Sequence, residues 1–182
     1  VLMVGALTSW TVVSALESSG LPGWVLLVIS IPISIVVCSA LNFSIEKVAY
    51  RPLRNAPRLA PLITAMGMSL LLQTIAMIIW KPNPKPFPIL LPDTPLFLWE
   101  EGPVISIVQI LILGLTAVIL AGLMYLVNKT KLGRAMRATA ENPRVAALMG
   151  VRPDMVISAT FIIGAALAAV AGVMWASNYG TV

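Results

Sequence analysis

Few side chains in this chain could carry chemistry, and almost all of them lie outside its apolar segments. The sequence has no histidine and a single cysteine, Cys38, which lies inside an apolar run. Histidine-based catalysis and histidine metal sites are therefore excluded for these residues, and we predict no metal site and no cofactor. Cys38 cannot form an internal disulfide, so it is interpreted as a small packing residue.

Inside the apolar segments, the polar side chains of interest are neutral. They are Asn42, Thr64, Gln73, Gln109, Thr116 and Thr160. The ordinary role of such a side chain is a hydrogen bond to a neighbouring helix. The alternative is that it lines a polar pathway, for which Gln73 and Gln109 are the candidates. Ion-coupled transport usually requires an ionisable residue within the membrane, so these neutral segments argue against it.

The segments that hold these residues predict an all-α, polytopic transmembrane bundle. The chain is 59% hydrophobic and 10% charged, whereas a soluble domain carries about 25% charged residues. The first apolar segment is too short to span a bilayer, and we expect it to be the end of a truncated helix in a fragment of a longer protein. Five segments lack Asp, Glu, Lys and Arg and predict about five spans, at residues 1–13, 21–43, 59–80, 103–128 and 155–176.

Basic residues in the connections predict the orientation of the spans. Lys and Arg number 0 in residues 14–20, 4 in residues 44–58, 2 in residues 81–102 and 6 in residues 129–153. The positive-inside rule therefore places residues 44–58 and 129–153 in the cytoplasm and residues 81–102 outside. Proline recurs in KPNPKPFPILLPDTP, so the outer connection is predicted to be extended and not helical. We attribute the net charge of +5 to this topology, with the lipid bilayer as partner and no nucleic acid.

The cytoplasmic connection at residues 130–151, TKLGRAMRATAENPRVAALMGV, predicts two short helices, and we call it the elbow. In the second helix Asn142 suits the N-cap, Pro143 the first helical position and Gly150 the C-terminal cap. The first helix is predicted over residues 132–140. It places Arg137 four residues before Glu141, where the two could pair. Asp154 is predicted to cap the last apolar helix.

Val145, Leu148 and Met149 share one face of the second elbow helix, and this apolar tip leaves two interpretations open. An amphipathic helix with basic flanks can lie on a membrane surface. A short Ala-rich helix with a small apolar face can instead insert into the groove of a cytoplasmic partner.

The last apolar segment contains a face of small residues. Gly164, Ala168 and Gly172 recur every four residues, and Ala165 and Ala169 lie beside them. We predict that the face formed by Gly164, Ala168 and Gly172 packs closely against another helix. A small-residue wall beside a translocation path is the alternative.

Two stretches, GRAMRATAENPRVAALMGV and VISATFIIGAALAAVAGVMWA, resemble the permease subunits of branched-chain amino acid ABC importers. The earlier stretch IEKVAYRPLRNAPRLAPLITAMGMSLLLQ resembles the LivH type more than its LivM partner. The resemblance implies a single transmembrane permease domain over residues 1–182, with a cytoplasmic coupling loop at residues 129–153. It also implies that the family's N-terminal segment and final spans lie outside this sequence.

In that family the elbow docks on an ATP-binding subunit and transmits the closing of the ATPase dimer. The general importer signature is Glu-Ala-Ala, three residues, then Gly. Counted back from Gly150, only Ala146 matches, because Arg144 and Val145 stand where Glu and the first Ala would be. By resemblance the coupling residues are Ala140, Glu141, Asn142, Ala146, Leu148, Met149 and Gly150, and their approach contains Gly133, Arg134 and Arg137.

The resemblance implies a permease subunit of an ATP-driven importer of branched-chain or similar small amino acids, in a bacterial or archaeal plasma (inner) membrane. Its expected partners are a LivM-like second permease subunit, two cytoplasmic ATP-binding subunits and an extracytoplasmic substrate-binding protein. The chain has no G-x-x-x-x-G-K-[ST] motif, so it is not expected to be an enzyme and ATP hydrolysis belongs to a separate subunit. The alternatives are a related permease for urea or short amides, an ATPase-independent secondary transporter, and a membrane scaffold.

Overall fold

The computed structural model describes residues 1–16, 22–55, 59–81, 83, 85–86, 95–97 and 104–180. In these residues a π-helical turn, Glu46–Tyr50, extends the second α-helix, and a 3₁₀ turn, Pro52–Asn55, follows it. The predicted all-α class is confirmed, and the departure from it is a short antiparallel ribbon of β1 (Pro95–Phe97) and β2 (Val104–Ser106). The helices are α1 (Leu2–Leu16), α2 (Gly23–Ile45), α3 (Ala60–Trp80), α4 (Ile107–Lys129), α5 (Lys131–Glu141), α6 (Pro143–Leu148) and α7 (Pro153–Tyr179).

Four of the described helices are long and apolar enough to cross a membrane: α2 with its π-helical turn, α3, α4 and α7. Helix α1 is apolar but has 15 residues, fewer than the roughly 20 that a span needs. Helix α2 continues through Pro32. Helix α7 begins with Pro153 at its first position, so Asp154 lies in the first turn and the prediction that it is the N-cap was wrong.

The chain divides into two compact units, of which the first comprises Val1–Leu90 and Phe161–Val182. Helix α1 packs along α2 in this unit. The core joins α1, α2 and α7, because Val4 and Cys38 are buried in one cluster with Ala165 and Ala169. These side chains are small, so the three helices can approach one another closely.

Two glycines set the distance between α1 and α7. A Cβ atom at Gly5 would lie 2.9 Å from Cα of Ala169. A Cβ atom at Gly172 would collide with the carbonyl oxygen of Leu2 and lie 3.1 Å from the backbone nitrogen of Ala6. Neither contact leaves room for a side chain, so both positions require glycine for this packing.

Only part of the predicted small-residue face is buried. Gly172 is buried as predicted, but Gly164 is exposed, with no atom within 4 Å of an added Cβ, and Ala168 is half-buried. The neighbouring residues Ala165 and Ala169 are fully buried. Both stripes repeat every four residues, and the neighbouring helix selects between them.

Small hydroxyl side chains complete the interface between α1 and α2. Ser30 and Ser34 are fully buried. Thr8 Oγ1 donates to the carbonyl oxygen of Gly5 at 3.0 Å and lies 3.3 Å from Oγ of Ser34. Hydroxyls that bond to their own helix or to the neighbouring one can be buried at little cost.

The C-terminal half of α1 contacts part of the Pro-rich connection. Trp10 Nε1 donates to the carbonyl oxygen of Pro86 at 3.0 Å, and Lys85 Nζ lies 4.1 Å from the centre of the Trp10 ring. The described residues of this connection are not helical, as predicted, and Pro95–Phe97 form β1. Its other residues lie outside the described part of the chain.

The second unit, Leu91–Thr160, contains the β-ribbon, α4, α5, α6 and the start of α7. Helix α5 packs on α4, and α6 packs on α5. Strand β2 leads directly into α4, so α4 begins at Ile107, four residues after the predicted start at residue 103.

Gly172→Ala tests the close approach of α1 and α7. The added methyl group has no space against the backbone of α1, and overpacking of this kind costs about 1–3 kcal/mol. We expect a lower Tm for the purified full-length protein in a detergent thermal-unfolding assay. The matched control is Gly164→Ala on the same helix, which has open space around it and should not lower the Tm. Equal effects of the two substitutions would contradict this packing.

Candidate functional site

The elbow begins with a capped turn at the end of α4. Gly133 N donates to Oγ1 of Thr130 at 3.2 Å, which makes Thr130 the N-cap of α5. A Cβ atom at Gly133 would collide with the carbonyl oxygen of Val127 and lie 2.5 Å from that of Leu126. Only glycine therefore lets α5 turn this tightly against the end of α4.

Arg137 reinforces the same turn from the exposed side. Its Nη1 donates to Oδ1 of Asn128 at 3.1 Å. The predicted ion pair between Arg137 and Glu141 does not form in the described elbow, because the guanidinium reaches back to α4 instead. The helix otherwise follows the prediction and exceeds it by one residue at each end.

Helix α6 has the start and the stop that its sequence predicts. Asn142 Oδ1 accepts from the backbone nitrogens of Arg144 at 3.1 Å and Val145 at 3.3 Å, and Pro143 occupies the first turn. Asn142 is thus the N-cap, and this prediction is confirmed. A helix of six residues needs such support because it forms few backbone hydrogen bonds of its own.

The C-terminal end of α6 is closed by Gly150, which has a φ of +83°. The backbone nitrogen of Gly150 donates to the oxygen of Ala147 at 3.1 Å, and that of Val151 donates to the oxygen of Ala146 at 3.1 Å. This pair of bonds is the Schellman motif, which favours glycine at the left-handed position. The predicted C-terminal cap is confirmed.

The apolar tip of the elbow projects from this capped helix. Leu148 is 87% exposed and Met149 is 81% exposed, and Val145 beside them is also exposed. Ala146, on the opposite side of α6, is buried at 3% and anchors the helix. Gly133 is buried as well, and the other residues predicted for coupling are all exposed: Arg134, Arg137, Ala140, Glu141, Asn142 and Gly150.

The two glutamines predicted as pathway candidates belong to different units. Gln73 of α3 lines a cavity of about 240 Å³ in the first unit. Gln109 of α4 is exposed and belongs to the second unit. Their role in a pathway stays a prediction.

Sequence reasoning missed the cluster on the other side of this cavity. Asn42 Nδ2 donates to the carbonyl oxygen of Phe161 at 2.7 Å. The rings of Tyr50 and Phe161 are 5.2 Å apart and inclined at 51°. Asn42 was recognisable as a polar residue in an apolar helix, but no pattern in the sequence indicates a partner 119 residues away.

The described residues contain no group of three or more His, Cys, Asp or Glu side chains that could hold a metal ion.

The sequence profile described as "Branched-chain amino acid transport system / permease component" matches the whole chain, residues 1–182. The chain belongs to this family. Family membership and the four span-length helices make it a membrane permease component.

Individual permeases of this family are similar to the chain over its full length. It is 41% identical to the high-affinity branched-chain amino acid transport system permease protein BraD of Pseudomonas aeruginosa, and 38% identical to LivH of Escherichia coli K12. The chain spans 60% of the length of each of these relatives. A shorter match of 33% identity, over 45% of the chain, is to the autoinducer 2 import system permease protein LsrC of Escherichia coli. No solved structure matches the chain.

Asn142→Ala tests whether the N-cap holds α6 in this permease. Loss of such a cap costs about 1 kcal/mol, which corresponds to a roughly fivefold shift toward local opening. We expect the backbone amides of residues 145–151 to exchange hydrogen about fivefold faster in mass spectrometry. Asn142→Ser is the matched control, because serine also caps helices, and it should retain most of the protection. Unchanged exchange in the alanine variant would contradict the capping role.

Proposed function

We propose that the chain is the permease subunit of an ATP-driven importer of branched-chain or similar small amino acids, and that its elbow docks on an ATP-binding subunit. The observation that carries the proposal is the apolar tip. Leu148 and Met149 are the most exposed large apolar side chains of the elbow, on a short helix capped at both ends.

A pre-formed tip suits docking on energetic grounds. Burial of one such side chain contributes about 1.5–3 kcal/mol. Because α6 is already ordered by Asn142 and Gly150, little conformational entropy is lost when a partner covers it. Arg134 and Arg144 are exposed on the flanks, where they can form ion pairs around an apolar contact.

The elbow fits a membrane-surface helix less well. A helix that lies on a bilayer buries a continuous apolar face along its length. Leu132 and Met136, the larger apolar residues of α5, are already half-buried within the unit. The apolar surface that remains is the compact tip of α6, which fits a protein groove better than a lipid surface.

The expected assembly follows from the proposed docking and from the exposed helices. Large apolar side chains such as Ile78 of α3 and Leu113 of α4 are more than 70% exposed. These faces suit lipid and a second, LivM-like permease subunit in a plasma (inner) membrane. Two ATP-binding subunits and an extracytoplasmic substrate-binding protein complete the proposed importer.

Alternating access is the mechanism that we propose for it. The elbow is continuous with α4 at one end and precedes α7 at the other. Movement of a docked ATP-binding subunit would therefore pull on two transmembrane helices at once. ATP hydrolysis takes place on that separate subunit in this scheme.

The docking proposal is tested by a pull-down of the full-length chain with its candidate ATP-binding subunit. Leu148→Asp combined with Met149→Asp places two carboxylates in an apolar groove, which costs several kcal/mol and should weaken binding by a factor of about 100 or more. Both side chains are exposed, so folding and membrane insertion should not change. The matched control is Leu148→Met with Met149→Leu, which keeps the tip apolar and should bind normally. Equal binding of the aspartate variant and the wild type would refute docking through the tip.

Gly133→Ala tests whether the elbow transmits movement as well as binding. The added methyl group must displace α5 from α4, while the tip itself is unchanged. We expect normal capture of the ATP-binding subunit but a several-fold loss of ATP-dependent uptake in proteoliposomes. Gly122→Ala in α4 has open space and serves as the control. Normal uptake by the Gly133 variant would show that the angle between α4 and α5 does not matter.

A further inference from the structure

The two faces of α3 differ in polarity, and the more polar face lines the cavity in the first unit. Met68, Ser69, Leu72 and Gln73 line it at the spacing of one helical face. Leu70 and Ile63 lie on the opposite face, and both are more than 60% exposed. The polar side chains Ser69 and Gln73 therefore line the cavity. The opposite face is mostly apolar, and its polar residue Thr74 donates its hydroxyl to the carbonyl oxygen of Leu70 in the same helix.

The opposite wall of the cavity is held in place by a polar contact. Asn42 Nδ2 donates to the carbonyl oxygen of Phe161 at 2.7 Å, which ties α2 to α7. The π-helical turn that follows α2 brings Tyr50 to the same wall, where its ring packs against Phe161. A π-helical turn shifts the direction of the side chains that follow it, and such turns are frequent at functional sites.

The chemistry of the lining indicates the class of ligand. Asn42, Tyr50, Ser69 and Gln73 offer neutral donors and acceptors, and no lining side chain is charged. A zwitterion can satisfy both its ammonium and its carboxylate groups with such partners. A zwitterion has no net charge to balance, whereas a ligand with net charge would need a counter-ion that no lining side chain supplies. Leu72 and Met68 supply an apolar wall for an aliphatic side chain.

The volume of the cavity limits the size of the ligand that it can hold. Sites for drug-sized ligands measure about 300–1,000 Å³, and this cavity measures about 240 Å³. It therefore suits a small metabolite. Because no lining side chain is charged, the site forms no ion pair with the ligand, which favours brief occupancy over tight retention.

We propose that this cavity is a transit site on the chain for a small zwitterionic amino acid with an aliphatic side chain. The inference rests on the proposed import function, and it deepens it by naming where the substrate passes. The residues that form the site are Asn42, Tyr50, Ser69, Leu72, Gln73 and Phe161.

Thiol labelling tests the site independently of transport. In the full-length protein, Cys38→Ala and replacement of any cysteine outside residues 1–182 give a cysteine-free background, into which Ser69→Cys is introduced. N-ethylmaleimide reacts with the thiolate, which forms only in contact with water, so a cavity residue should label at least about tenfold faster than a lipid-facing one. Leu70→Cys, the adjacent residue on the opposite face, is the matched control and should label slowly.

The effect of leucine and lysine on the labelling rate then distinguishes a ligand site from a water-filled crevice. We expect leucine, well above its Kd, to slow labelling of Ser69→Cys by about tenfold through occupancy, and lysine to have no effect. Equal labelling of Ser69→Cys and Leu70→Cys, or no protection by leucine, would overturn the proposal. Protection without any ATP-binding subunit would support the cavity even if the aspartate variant of the elbow still bound that subunit. Failure of the site and failure of the docking proposal are therefore separable.

Discussion

The close approach of the α1 and α7 backbones is the constraint on which the first unit depends. Gly5 lies against Ala169, and Gly172 lies against Leu2, at distances that admit no further carbon atom. In a membrane, where lipid is as apolar as the side chains, such close packing is a main source of helix association. Helix α2 packs along α1 and is joined to α7 through Asn42 and Phe161. The bond between Asn42 and Phe161 in the cavity wall thus depends on the close packing that Gly5 and Gly172 allow.

The elbow depends on local bonds in place of close packing. Thr130, Asn142 and Gly150 each satisfy backbone groups that helix ends leave without partners. With these bonds made, α6 can be short and still hold Leu148 and Met149 in fixed directions. Van der Waals contact between backbones therefore holds the apolar helices of the first unit together, whereas capping hydrogen bonds hold the helices of the polar connection.

The same distinction explains what the sequence could predict. Asn142 and Gly150 were predictable because a cap depends on residues within one turn of the chain. Both small-residue stripes of α7 were visible in the sequence, but not which of them is buried at Gly164 and Ala165, because the two repeats are equally regular and only a distant helix selects between them. Asp154 was assigned to the N-cap but lies two positions beyond it, because Pro153 is the better first helical residue. The contact of Tyr50 and Asn42 with Phe161 joins residues more than a hundred positions apart, for which a single sequence contains no signal.

The exposed tip also affects what happens to copies of the chain that are not assembled with a partner. Leu148 and Met149 would be covered by a partner in the proposed assembly, but in an orphan subunit they face water. Apolar surface of this kind is what chaperones and proteases bind, and it promotes aggregation. The surface proposed to receive the ATP-binding subunit would then also mark unassembled copies for removal, and so keep the subunits in proportion.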